Sequence, residues 1–334
     1  MSKISYMVKR AARMDYGAMM KTARMLHEKT GKPTWWLLAD MMQCAVRYNA
    51  GYIDYKIAEM YRLTPAQRRT QITRGISNSI VARMNDKEFW HYFDNKNEFN
   101  TLFADQVKRA WLNFRDATPE QFREFVKGKG PLICKPLDGS SGQGILKVTP
   151  EQMQRPDALY LSLKDAGIGI VEECVVQHPD LAALCPTSVN TLRIATLLGD
   201  KKQGVVYAYI RIGNGKVMDN VDCGGMAAPI DLNTGVIRAV GANKSGEAYE
   251  FHPMTGKCIP GTAIPYWKEA VKMCLDASRV VPQVRFVAWD VAITPTGPVF
   301  IEGNSFPSHA IPQFAAHFPD GIGILPRFEE FIDL

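Results

Sequence analysis

Two strand-like runs near the end of the chain constrain its fold more than any other feature. Residues 284–293 and 298–303 have the side-chain alternation of β-strands, and Thr296-Gly297 between them is typical of a tight turn. The pattern predicts an antiparallel hairpin, in which every second side chain of a strand points to the same face of the sheet.

Three oxygen-bearing side chains lie on this hairpin. Asp290 is on the first strand, and Glu302 and Asn304 share a face near the end of the second. Pairing of the strands would bring the three together, and oxygen ligands of this kind suit Mg²⁺ that carries nucleotide phosphates. We therefore predict a metal site at Asp290, Glu302 and Asn304, in an enzyme that uses ATP.

A glycine-rich stretch earlier in the chain is the second candidate for ligand binding. It falls between the strand-like runs 132–135 and 144–148 rather than between a strand and a helix, which excludes a Walker A loop and a Rossmann turn. Its N–H groups and hydroxyls can fold over phosphates, and Lys135 can reach phosphate as a point charge. A plain surface loop is the alternative, and the predicted metal site downstream weighs against it. The predicted loop residues are Gly139, Ser140, Ser141, Gly142, Gln143 and Gly144.

Composition limits the class of protein. With 334 residues, 46% of them hydrophobic, the chain is long enough for about two domains with a sizeable core. The net charge of +6 suits an anionic ligand such as ATP, and the dispersed basic residues do not indicate nucleic acid. Seven cysteines without a metal-type Cys-x-x-Cys pair favour a reduced, cytoplasmic setting. No apolar run reaches the length of about 18 residues that predicts a transmembrane helix.

The order of the predicted elements favours an α+β fold. Helical runs occupy residues 1–84, and from residue 85 short strands dominate with few regular βαβ alternations. We divide the chain into a helical N-terminal extension, 1–84, a subdomain with the Gly-rich loop, 85–165, and a subdomain with the metal site, 166–334. Packing core is predicted for the Met and Trp side chains of the extension, namely Met14, Met19, Met20, Trp35, Trp36, Met41 and Met42.

The features, taken in order, resemble the ATP-grasp superfamily, which includes D-alanine–D-alanine ligases, glutathione synthetase and the ribosomal-protein glutamate ligases. Asp86-Lys87 opens the shared region, and the Gly-rich loop and the predicted metal ligands follow in the family order. Gln177-His178-Pro179 and the strand 190–193 are closer to the ATP-grasp proteins associated with sugar transfer and polysaccharide biosynthesis. The implied fold consists of two α+β subdomains that grip ATP, here with a helical extension.

The resemblance also implies roles for individual residues. The strand 170–175 would be the adenine hinge, and Arg193 and Arg211 would stabilise the transferring phosphoryl group and a later oxyanion. Lys244 would be a phosphate or substrate lysine, with an exposed loop lysine as the open alternative. The further implied nucleotide-binding residues are Lys87, Glu172, Glu173, Val175 and, for the ribose, Gln177 or Asp180.

The implied reaction is ADP-forming carboxylate–amine ligation. A carboxylate attacks the γ-phosphate of ATP, and an amine displaces phosphate from the acyl phosphate to form an amide or peptide bond. The implied cofactors are ATP and two Mg²⁺ ions, with Mn²⁺ as an alternative, and the substrates are small-molecule or peptide carboxylates and amines. A kinase-like phosphotransferase and a non-catalytic nucleotide-binding partner stay open as alternatives.

The N-terminal extension lies outside the resemblance. Residues 1–84 offer a surface for a protein partner or an oligomer. The basic residues 1–17 would either pack on the protein or touch a membrane surface as an amphipathic helix.

Overall fold

The computed structural model describes residues 15–137, 144–215, 219, 221 and 224–334. Within these residues, no helix has the length and apolar character needed to cross a membrane. The chain forms an N-terminal helical unit and two antiparallel sheets. The boundaries at residues 84 and 165 stay predictions.

The N-terminal helical unit has a core of its own. Its helices are α1 (Tyr16–Thr30), α2 (Thr34–Tyr48), α3 (Tyr52–Ile57), α4 (Pro65–Arg69) and α5 (Arg74–Met84). Buried side chains of α1 to α3, among them Leu26, Leu37 and Tyr55, form one cluster. In contrast, Ile80 and Met84 of α5 belong to the core of the larger sheet, so α5 joins the helical unit to that sheet.

A buried ion pair connects three of these helices. Arg68 of α4 donates two hydrogen bonds of 2.7 Å to the two carboxylate oxygens of Asp40 on α2. The hydroxyl of Tyr55 on α3 donates to the same carboxylate over 2.7 Å. Because bidentate pairs fix both distance and orientation, this cluster sets how α2, α3 and α4 pack.

The smaller sheet has four strands in the order β1-β4-β2-β3. The elements of this region are α6 (His91–Asp94), α7 (Lys96–Leu102), α8 (Ala104–Val107), β1 (Trp111–Asn113), α9 (Pro119–Val126), β2 (Leu132–Lys135), β3 (Leu146–Val148), α10 (Pro156–Asp165) and β4 (Ile170–Glu173). Helices α9 and α10 cover one face of the sheet, where Phe122, Leu132 and Val171 form the core.

The larger sheet has seven strands in the order β11-β10-β5-β6-β7-β8-β9. Its elements are α11 (Pro179–Ala182), β5 (Leu192–Leu198), β6 (Gln203–Ile212), β7 (Met226–Pro229), β8 (Gly241–Ala242), β9 (Ala248–Tyr249), α12 (Trp267–Ala277), β10 (Phe286–Thr294), β11 (Gly297–Asn304) and α13 (Leu325–Glu329). Helices α12 and α6 to α8 pack on one face, and α5 with the C-terminal segment packs on the other.

The predicted hairpin is present as β10 and β11. Trp289 pairs with Gly303, and both point to the face that α6 and α7 cover. A Cβ atom on Gly303 would lie 2.8 Å from Phe93 and 2.9 Å from Phe99, so this strand position has no room for a side chain. Asp290 and Glu302, one residue along from this pair, therefore point to the opposite face.

Candidate nucleotide and metal site

The three side chains of the predicted metal site share one face of the hairpin. Asp290 lies opposite Glu302, and Ala288 lies opposite Asn304, with a bulge in the strand directly after Asp290. The side-chain amide of Asn304 donates to the Ala288 carbonyl over 3.2 Å, which fixes the orientation of its oxygen. The predicted convergence of Asp290, Glu302 and Asn304 agrees with this register.

Two arginines contact Asp290. Arg193 lies beside it on β5, and its Nη2 donates to Asp290 Oδ2 over 2.9 Å. The Nη2 atom of Arg211, from β6, lies 2.8 Å from the same oxygen. Asp290 is fully buried, and Arg193 is nearly so. Both predicted arginines are thus brought to the predicted metal site.

The pKa values of Asp290 and Glu302 are shifted in opposite directions. Burial alone would raise the pKa of Asp290, but Arg193 and Arg211 hold it below its usual value. Burial and the neighbouring charge of Asp290 raise the pKa of Glu302. Removing a charge from water is costly unless it is paired, so a cation between these carboxylates would relieve the penalty on Glu302.

The donor set fits a hard divalent cation. Two carboxylates and an amide oxygen are ligands that Mg²⁺ accepts together with water and phosphate oxygens. Among the described residues, no group of three or more His, Cys, Asp or Glu side chains could hold a metal. The predicted third ligand is the amide oxygen of Asn304, which lies on the same face of the hairpin.

A second buried acid supports Arg211 and was missed from the sequence as a site residue. Thr191 accepts hydrogen bonds of 2.9 and 2.6 Å from Nε and Nη2 of Arg211. The backbone N–H of Thr191 donates to Asp219 Oδ2 over 2.9 Å. Burial raises the pKa of Asp219 despite the nearby Arg211. Asp219 is the first residue of the sequence Asp-Asn-Val-Asp, 219–222. Nothing in this short sequence indicates that Asp219 pairs with Arg211 on β6.

On the smaller sheet, Lys135 and Glu172 face each other. The ammonium of Lys135 lies 2.5 Å from Glu172, and Arg109 and Asn100 also donate to this carboxylate, over 2.8 and 2.7 Å. Burial would raise the pKa of Glu172, but Arg109 and Lys135 lower it to about 2. Arg109 also bonds the Phe300 carbonyl of β11, so it links the two sheets at the site. No sequence motif indicates this role of Arg109.

One comparison with known proteins decides the family. The family model described as "Sugar-transfer associated ATP-grasp" matches residues 76–331. The chain belongs to the sugar-transfer associated ATP-grasp family. The matched range contains every predicted site residue, and the predicted α+β, ATP-grasp fold is confirmed.

Solved structures with similar folds are distant from this family member. They include the ATP-grasp ligase PsnB in complex with a phosphomimetic variant of its minimal precursor, Mg and ADP (14% identity, TM-score 0.41, covering 76% of this chain and 68% of that chain). The D-alanine–D-alanine ligase from Coxiella burnetii has 13% identity and a TM-score of 0.39, covering 72% of this chain and 59% of that one. The D-cycloserine synthetase DcsG has 10% identity and a TM-score of 0.44, covering 84% and 80%. A search of curated proteins found no significant match.

Lys87 and Lys96 of this ATP-grasp protein make different contacts. Lys87 is exposed, and its ammonium lies 5.7 Å from the centre of the Trp90 ring. Among the described residues, no hydrogen bond or ion pair joins Lys87 to Lys135, and a nucleotide-binding role for Lys87 stays a prediction. Lys96, at the start of α7, donates instead to the Leu137 carbonyl over 3.1 Å, directly before the Gly-rich loop. The sequence pattern that suggested Lys87 also occurs at Lys96, because Asn95 caps a short helix that Lys96 begins, as Asp86 does for Lys87.

The Gly-rich loop is described only at its end. Gly139, Ser140, Ser141, Gly142 and Gln143 lie outside the described residues. Gly144 has φ 73°, in the left-handed region that favours glycine, and a Cβ there would lie 2.8 Å from the Pro136 ring. The chain therefore needs glycine where it leaves the loop.

The predicted adenine and ribose residues are largely engaged within the protein. The N–H of Glu173 donates to Ala110, and its carboxylate pairs with Lys129 over 2.7 Å. Val175 follows the end of β4. Gln177 donates to the carbonyls of Cys185 and Ser188 and accepts from the N–H of Asn190, so it holds a loop.

Two predicted residues lie at the surface. Asp180, the other ribose candidate, is exposed in the first turn of α11. Lys244 is partly exposed in the turn between β8 and β9. In the described structure, neither is joined to Asp290 or Lys135 by a hydrogen bond or ion pair.

Proposed function

We propose that this protein is an ADP-forming, ATP-dependent carboxylate–amine ligase that works through an acyl phosphate. The observation that carries the proposal is the buried cluster on the sheet face, where Arg193 and Arg211 meet Asp290 beside Glu302. Two cationic side chains next to the proposed metal position suit a transferring phosphoryl group, because that chemistry requires charge neutralisation more than a protein nucleophile.

Asp290, Glu302 and Asn304 would hold Mg²⁺ in this proposal. The bound metal would neutralise charge on the β- and γ-phosphates, and two ions, with Mn²⁺ as a substitute, fit the same ligands. Arg193 and Arg211 already lie within hydrogen-bond distance of Asp290. They would orient the phosphoryl group and later donate to the oxyanion of the tetrahedral intermediate.

The nucleotide would lie between the two sheets. Lys135 has three donor hydrogens, so its contact with Glu172 leaves others for phosphate. Lys96, which donates to the Leu137 carbonyl, would contact the phosphates in the role predicted for Lys87. The main chain near Val175 would contact adenine, and Asp180 remains the candidate for the ribose.

The substrates would be a carboxylate and an amine carried by small molecules or peptides. The family description, sugar-transfer associated, favours a step in surface-polysaccharide biosynthesis. The described cysteines are free, which fits a cytoplasmic enzyme. A role for Lys244 in binding one of the substrates remains part of the proposal.

The test is release of ADP and phosphate by the purified protein in the presence of Mg²⁺ and mixtures of carboxylates and amines. We expect amide formation, and a loss of about 10²-fold or more in the Asp290→Asn variant. Asp276→Asn, on the exposed face of α12, is the matched control. Release of AMP, or failure of the folded protein to bind ATP, would contradict the proposal.

The alternatives give different products. A phosphotransferase on the same fold would form a stable phosphorylated acceptor without any amine. A non-catalytic partner would bind ATP and leave it intact. The same assay therefore separates all three functions.

A further inference from the structure

Helix α2 has an apolar surface where a polar one is expected. Trp35 is 71% exposed, Met42 43% and Val46 56%. The sequence predicted Trp35, Met42 and Met20 as packing core, and the structure shows that prediction to be wrong for all three. Met19 and Met41 are buried as predicted, and Trp36 is partly buried. Met14 lies outside the described residues.

The exposed side chains form one stripe. At about 100° per residue, positions 35, 42 and 46 fall within roughly 40° of each other around the helix. Ala39, between them, is also exposed. The opposite face of α2 carries Leu37, buried in the helical unit. A helix on a protein surface normally has a polar outer face, so the stripe of Trp35, Ala39, Met42 and Val46, here called the α2 stripe, is suited to contact with another surface.

The charge of this region limits what that surface can be. Residues 1–84 contain 15 Lys and Arg against 5 Asp and Glu, whereas residues 85–334 contain 25 against 29. Lys32 and Arg47 lie at the two ends of the α2 stripe. The one carboxylate on α2, Asp40, faces inward and is paired with Arg68. The stripe is therefore apolar, with basic residues and no helix carboxylate beside it.

We propose that the α2 stripe rests on the surface of an anionic phospholipid bilayer. Trp35 would lie among the headgroups, where tryptophan is favoured, and Met42 and Val46 would enter the boundary of the acyl chains. Lys32 and Arg47 would contact anionic headgroups, each basic residue near such a surface adding to the attraction. The proposal is independent of the ligase activity.

A second copy of the chain fits the stripe less well. Pairing through α2 would bring two basic units together, and like charges across an interface are unfavourable. Three large side chains also supply much less than the roughly 800 Å² per partner that a stable dimer buries. A lipid surface needs neither a complementary shape nor a large fixed area.

The experiment is sedimentation of the full-length protein with vesicles. One set contains phosphatidylcholine alone and the other phosphatidylcholine mixed with phosphatidylglycerol. We expect binding to the mixed vesicles, and weaker binding as salt is raised, because salt screens surface charges. Trp35→Ser and Met42→Ser, singly and together, should weaken binding, the double variant by about tenfold or more.

Leu161→Ser is the matched control, because Leu161 on α10 is 64% exposed and lies outside the helical unit. This variant should bind as the wild type does. Melting temperatures confirm that each variant is folded. The proposal is overturned if the full-length protein binds neither vesicle, if both stripe variants bind unchanged, or if light scattering finds a dimer that Trp35→Ser dissociates.

Discussion

The position of two lysines shows how far single residues can be assigned from the sequence. Lys87 and Lys96 both follow an Asp or Asn that caps a short helix. Nothing local distinguishes them, because the difference lies in which one reaches Leu137, a contact across 41 positions. By contrast, Asp290 and Glu302 could be predicted as neighbours, because strand pairing fixes their distance.

The two lysines therefore provide a matched pair of variants. We expect Lys96→Met to weaken ATP binding by about tenfold or more, because it removes a cation beside the Gly-rich loop. Lys87→Met should leave ATP binding unchanged, since the Lys87 ammonium lies over Trp90. Isothermal titration of both variants with ATP and Mg²⁺ measures this difference. Equal losses of affinity would contradict the assignment of Lys96.

The raised pKa of Glu302 predicts that, without metal, the stability of the protein depends on pH. Its folded-state pKa is raised by burial and by Asp290, so its ionisation opposes folding. Stability linked to Glu302 is therefore complete below the ordinary value of 4.5 and is lost as the pH rises through the raised pKa. Glu302→Gln should melt at a higher temperature than the wild type at neutral pH, and the difference should shrink in acid.

Added Mg²⁺ provides the control for this comparison. A cation beside Glu302 would offset the penalty, so Mg²⁺ should raise the melting temperature of the wild type more than that of Glu302→Gln. Melting curves with chelator and with Mg²⁺ between pH 4 and 8 would measure both effects. A variant that is less stable than the wild type throughout would show that Glu302 is stabilised by contacts other than metal.

Among the helices and strands, those with a regular pattern were predicted and those held by distant contacts were not. The hairpin of β10 and β11 follows from period-two alternation and a turn at Gly297. The helices of the N-terminal unit follow from caps such as Thr64-Pro65. The outward face of α2 was misjudged because its apolar residues occur on both sides of the helix, and the pattern alone does not say which side is buried.

The Asp40–Arg68 pair predicts a large effect of a single substitution on the helical unit. Arg68→Ala would leave the buried Asp40 carboxylate with Tyr55 alone, and breaking a buried ion pair costs about 3–5 kcal/mol. Arg69→Ala is the matched control, because the neighbouring Arg69 is exposed and such a change usually stays within about 0.5 kcal/mol. Urea unfolding of both variants provides the values. Similar values for the two would contradict the proposed role of the pair.

Across the chain, the order of the motifs was enough to predict the family and the fold, but not the contacts between the helical unit and the loop after β11. His309, in the loop after β11, contacts Asp54 on α3 over 2.7 Å, a separation of 255 residues. Asn85 also donates to the Ser305 carbonyl over 2.6 Å. Such contacts between distant segments leave no periodic pattern in a sequence, so the extension was treated as separate from the site.

These contacts predict that the helical unit holds the loop that follows Asn304. Asp54 accepts from the N–H groups of Gly51 and Arg74 over 2.6 and 3.1 Å, as well as contacting His309. Asp54→Ala would leave these partly buried groups without their partner, at a cost of roughly 1–2 kcal/mol. Because the loop would lose its link to α3, we expect faster hydrogen exchange in residues 305–311.

The hydrogen-exchange measurement has two controls, one in a different strand and one in a different variant. Exchange in β2 should not change, because that strand lies in the other sheet, and Asp105→Ala, at an exposed position of α8, should leave the loop protected. Unchanged exchange in residues 305–311 of Asp54→Ala would show that Tyr207 and Asn85, which bond the carbonyls of Ser308 and Ser305, are sufficient to hold the loop. Faster exchange confined to this loop would instead show that the N-terminal unit supports the loop after β11, which no local motif indicates.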